Sequence, residues 1–98
     1  MIIVMKLLSG EEIISTESEY QTGMNEYSKP RVLQAMQTER GVQAALVPWM
    51  ITSPDGTFPI DDKFIITKVE ASREVGAMYL QQTTSLDLTA ATPNKIQL

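Results

Sequence analysis

The chain has 98 residues, 43% hydrophobic and 20% charged, with eight Lys and Arg against twelve Asp and Glu. That length fits one domain, and the composition argues against wholesale disorder or a low-complexity chain. Cys and His are both absent, which removes disulfides, thiolate and imidazole metal sites and the commonest general base, and the net charge of −4 argues against gripping duplex DNA by bulk electrostatics.

Residues 2–8 read as a strand, with Ile3, Met5 and Leu7 alternating onto one face and Val4, Lys6 and Leu8 onto the other. Ser9-Gly10-Glu11 supplies a turn, Gly10 being free to take a positive φ. A second strand over 12–18 completes an antiparallel hairpin whose Ser, Thr and Glu side chains suit a face open to water. Residues 19–25 are polar and contain Gly23, so they read as a loop. A third strand spans 27–37, and Pro30 demands an edge or a bulge near its start. Thr38-Glu39-Arg40-Gly41 turns the chain into a fourth strand over 42–50, the most apolar segment, where Pro48 implies an edge or bend.

Ser53-Pro54-Asp55-Gly56 carries the strongest turn chemistry of the chain. A fifth strand covers 63–70. Ser72 then caps a helix over 73–83, with Glu74 in the first turn and an apolar stripe of Val75, Met78 and Tyr79 to lay on the sheet. Residues 85–98 are Thr-rich and aperiodic, and read as a flexible tail after a domain over 1–84. Five short strands and one terminal helix give a mainly β fold, either a small, strongly bent barrel or an open sheet with the helix on one face.

No apolar run approaches a membrane span: the N-terminal one stops at Lys6 and the run 44–51 contains Pro48, so a soluble, cytoplasmic protein is expected. Catalysis is not expected. The carboxylate pairs Glu11-Glu12 and Asp61-Asp62 are adjacent in extended chain and point to opposite sides. Hydroxyls lack a base to activate them, the glycines form no phosphate-cradling loop, and no cofactor or metal motif is present. Trp49 reads as packing in the core or at a subunit interface, and the Met residues as core gap-fillers.

Residues 20–31 combine two rings (Tyr20, Tyr27), two amides (Gln21, Asn25) and two cations (Lys29, Arg31). Single-stranded nucleic acid is held by that mixture: rings stack bases, amides read base edges and cations meet phosphate.

Apolar alternation through Ile3, Met5 and Leu7 into Gly10, then Met24-Asn25 with the Asn 15 positions after that Gly, resembles the first signature of the Sm/LSm family. Lys29-Pro30, Val47-Pro48-Trp49 and the helix followed by Thr83-Thr84 are similar to Sm-like proteins of marine phages. The resemblance implies a five-stranded, strongly bent SH3-type barrel. It also implies that the fourth and fifth strands of neighbouring subunits pair into a ring of about five to seven copies. The loop between the second and third strands then faces the pore and holds RNA in an infected bacterial cytoplasm.

Of the family's contact residues, Asn25 matches and Gln21 stands where an acid is usual; Gly23 occupies the base-stacking position, Ser15 replaces a Gly, and the second signature is absent. Two functions follow as expectations: a ring that binds single-stranded RNA or DNA without catalysis, or a phage structural adaptor ring that touches only proteins.

Overall fold

In the computed structural model, residues 1–18 and 24–84 are described, and their backbone is dominated by antiparallel strands. β1 (Ile2–Leu7) and β2 (Glu12–Ser18) form the first hairpin, paired from Ile2↔Thr16 to Lys6↔Glu12. Gly10 takes a φ of 97° in the connection, where its N–H reaches the Leu7 carbonyl at 2.9 Å. β3 (Glu26–Thr38) and β4 (Gly41–Pro48) form the second hairpin, and Gly41 sits at φ 104° where the chain re-enters the ladder. A side chain at either glycine would meet the steric cost of the left-handed region.

The single sheet has the order β4-β3-β2-β1-β6, with β6 spanning Ile65–Glu70. It is open rather than closed. A three-residue strand that the sequence reading did not include, β5 (Thr57–Pro59), pairs with Glu26–Ser28 of β3. The predicted start of the last strand at Lys63 also shifts: Asp62–Phe64 is a 3-10 turn, capped by Asp61, whose carboxylate accepts from the Lys63 N–H.

Pro30 produces the expected irregularity. Ile14 pairs with Arg31 but Thr16 pairs with Ser28, so Lys29 and Pro30 together face Ser15 in a β-bulge. Lys29 has a φ of 52°, its N–H donates to Gly56 O at 2.9 Å, and the Trp49 N–H donates to Pro30 O at 3.0 Å. The bulge is therefore the point at which β3 exchanges β4 for β5 along one side. Ser15 is fully buried beneath it and donates to Ser28 O at 2.7 Å, which corrects the reading of that face of β2 as open to water.

Both faces of the middle of the sheet carry a core. On the inner face Ile3, Met5, Leu7, Ile13, Tyr27 and Ile60 pack together, with Val32, Trp49 and Ile65 against them. On the outer face α1 (Arg73–Thr84) lays Val75, Met78 and Tyr79 over Val4, Ile14, Leu33 and Leu46. Each fully buried Ile, Leu or Met is worth about 1.5–3 kcal/mol. Ser72 caps the helix as expected, its hydroxyl accepting from the Val75 N–H at 3.2 Å. Met5 fills the core, whereas Met36 and Met50 lie largely at the surface.

Among the described residues β4 and β6 end the sheet with unpaired edges, and large apolar side chains sit exposed on them: Val42 at 68%, Ile66 at 61% and Val69 at 57%. No helix among the described residues is long and apolar enough to cross a membrane. The tail over 85–98 lies outside the described residues.

Candidate nucleic-acid interface

β2 and β3 run into the loop that contains the predicted binding residues. Tyr20 and Gln21 lie outside the described residues, as does Gly23. The other four are placed, and they separate into two groups.

Asn25 and Tyr27 converge on Glu17, the last inward-facing side chain of β2. Glu17 Oε2 accepts from Asn25 Nδ2 at 2.9 Å, from the Tyr27 hydroxyl at 3.1 Å, and from Lys68 Nζ of β6 in an ion pair. Lys68 also donates to the Tyr27 hydroxyl at 3.2 Å and lies 5.7 Å from its ring centroid. One carboxylate oxygen thus gathers three donors: Tyr27 from the neighbouring β3, Lys68 from β6 beyond β1, and Asn25 from the far end of the loop. The Glu17–Asn25 bond ties the two stems of the loop together.

Burial alone would raise the Glu17 carboxyl, but the hydrogen bonds from Lys68, Asn25 and Tyr27 outweigh it and hold the group below its ordinary value. For Lys68 burial pulls downward, and the hydrogen bonds to Glu17 and Tyr27 reverse it, so the ammonium is held above its ordinary value. Burial pushes the Tyr27 hydroxyl up against the pull of Lys68. All three shifts favour the same arrangement: carboxylate, ammonium and neutral phenol.

Tyr27 itself is fully buried in the inner core, so its ring packs against protein rather than standing open to a base. Arg31 is likewise interior, 3% exposed on the outer face. Its guanidinium donates to the carbonyls of Pro30 and Pro54 and to Asp55 Oδ1 at 3.0 Å, which straps the 53–56 turn onto the bulge. In this arrangement the guanidinium serves the fold. Lys29 is partly exposed and its ammonium takes part in no ion pair among the described residues.

Asn25 and Lys29 are therefore the described residues from the predicted set that keep polar groups at the surface near the loop. Glu17 and Lys68 were not anticipated. A signal for Glu17 existed, because it shares the inward phase of Ile13 and Ser15, where a charge must find a partner.

Among the described residues no group of three or more acidic side chains is placed to hold a metal. No protein-family model matches the chain, and no curated protein does either.

Proposed function

We propose that the protein is an Sm-like barrel that closes into a homo-oligomeric ring of about five to seven copies and binds single-stranded RNA, or DNA, without catalysis. The observation that carries the reading is the pair of free edges. Among the described residues β4 and β6 end the sheet unpaired, with Val42, Ile66 and Val69 exposed along them. Uncovered apolar edges promote uncontrolled association, and head-to-tail pairing that closes by rotation uses both without making fibres. A five-strand path with the first strand between the second and the last also suits the Sm-like barrel that the resemblance implies.

In such a ring the loop after β2 is the binding element. Asn25 presents an amide to base edges, Lys29 a cation to phosphate, and Tyr20 and Gln21 complete the set. Lys68 adds a second cation beside Asn25, exchangeable between Glu17 and a phosphate. The phage-infected bacterium is a setting carried by the resemblance alone.

Light scattering on the purified protein tests the ring, and a monomer would defeat it. Fluorescence anisotropy with oligo-U and oligo-A at low salt tests binding. The double variant Asn25→Ala/Lys29→Gln is expected to lose affinity while the ring mass is unchanged. Absence of wild-type binding would leave the second reading, an adaptor ring for proteins. That reading is favoured by the net charge of −4 and by the interior positions of Tyr27 and Arg31.

A further inference from the structure

A cavity of about 430 Å³ opens beside the β1–β2 turn, shares no residue with the Glu17 cluster, and falls in the size range of small-molecule sites. Its walls are Leu8, Trp49, Ile60 and Phe64, and its two charged lining residues are Glu11 and Asp61. Leu8 and Phe64 are 62% and 50% exposed, so the cavity sits within an uncovered apolar patch.

Both carboxylates are held in place by one oxygen. Glu11 Oε1 accepts from Trp49 Nε1 at 3.2 Å and from the Ser9 hydroxyl at 3.0 Å, and Asp61 Oδ1 accepts from the Lys63 N–H at 3.0 Å. Glu11 Oε2 and Asp61 Oδ2 make no hydrogen bond among the described residues. The rings add a second attraction for cations. The chain uses the same attraction at this wall, with Lys63 Nζ 5.2 Å from the Phe64 centroid.

Charge complementarity narrows the occupant. Phosphates and carboxylates meet two like charges, and a neutral apolar molecule would take water from both carboxylates and return nothing. A molecule with cations at its ends and methylenes between them matches each part of the wall. We propose that this pocket binds an aliphatic di- or polyamine, its ammonium groups on Glu11 and Asp61 and its methylenes against Leu8, Ile60 and Trp49.

Trp49 is the only Trp of the chain, so its fluorescence reports occupancy directly. Putrescine and spermidine are titrated into the nucleic-acid-free, full-length protein at constant ionic strength. A saturable change is expected, with butylamine, which carries one charge, about tenfold weaker. Glu11→Gln and Asp61→Asn retain the acceptors for Trp49 and Lys63 but not the charge, and each is expected to weaken spermidine about tenfold. Should Glu11→Gln fail to fold by circular dichroism, Asp61→Asn and butylamine still decide. A response no different from that to NaCl, variants that bind like wild type, or tighter binding of N-acetyl-arginine amide than of spermidine would each overturn the proposal. The last would assign the pocket to a protein side chain.

Discussion

Tyr79→Phe tests how the helix is fixed to the sheet. The hydroxyl of Tyr79 is buried with the rest of the side chain and meets the bulge from the outer face. Its hydrogen is shared between Ser28 O at 2.9 Å and Lys29 O at 3.1 Å, which leaves the Thr16 hydroxyl, at 3.2 Å, to donate to it. Phenylalanine keeps the ring packing against Ile14 and Leu46 but removes a donor shared by two bulge carbonyls. Ser28 O retains the Ser15 hydroxyl; Lys29 O is left without its Tyr79 partner at a residue already in the left-handed region. A lost buried hydrogen bond with an acceptor stranded behind it costs about 1–3 kcal/mol. For a domain of this size that is a fall in Tm of about 4–8 °C per kcal/mol. Urea unfolding followed by circular dichroism reads the change as a shift of midpoint at constant slope. A loss below about 0.5 kcal/mol would refute the assignment of the Tyr79 hydroxyl as the pin between helix and bulge.

Three further outcomes follow from other sites. Gly76 closes the first turn of the helix, and an added Cβ would meet only Ile2 Cδ1 at 3.9 Å and Ala71 Cβ at 4.0 Å, so Gly76→Ala is expected to stabilise by about 0.4–1 kcal/mol in thermal melts. Arg31→Met removes the donors to Pro54 O and Asp55. It is expected to cost about 1–3 kcal/mol and to speed hydrogen exchange at the Lys29 and Gly56 amides, which the strapped turn protects. The Glu17 carboxyl is depressed from 4.5, so its contribution is present above that pH and lost as pH falls through the lower folded value. Lys68 and Tyr27 are raised from 10.5 and 10.0, so theirs is present below those values and lost as pH rises past them. Melting temperature against pH should therefore fall at both extremes, and Glu17→Gln should flatten the acid limb.

Much of the fold could be read from local chemistry. The first hairpin announces itself through Ile3, Met5 and Leu7 alternating into Gly10, and the helix through Ser72 followed by Val75, Met78 and Tyr79. These features depend on neighbours within a few residues, where period and capping act. β5 is hidden because three residues are too few to show a period, and the turn before it is held by Arg31 of β3, 24 residues from Asp55 in sequence.

The site was harder to read for a reason that lies in the bulge. Tyr27 and Val32 both face the inner core although they are five positions apart, an odd number that a regular strand would place on opposite faces. Lys29 and Pro30 absorb the extra residue, so alternation counted from either end of β3 gives the wrong face at the other. Without that shift Tyr27 looks like a surface ring and Arg31 like a surface cation. With it, Tyr27 turns into the core to share Glu17 with Lys68, and Arg31 turns outward beneath the 53–56 turn. Pro30 marks where the register changes, but its direction depends on Ser15, Gly56 and Tyr79 closing around the bulge, contacts 13 to 51 residues distant in sequence. The same bulge leaves Lys29 with its backbone held on both sides and its ammonium in no ion pair among the described residues, a rigid mount for a cation in the loop-proximal half of β3. Rigid placement lowers the entropy lost when a charged side chain meets a ligand. The sharpest contrast among the cations is therefore between Lys29, whose removal should affect binding alone, and Arg31, whose removal should affect folding first.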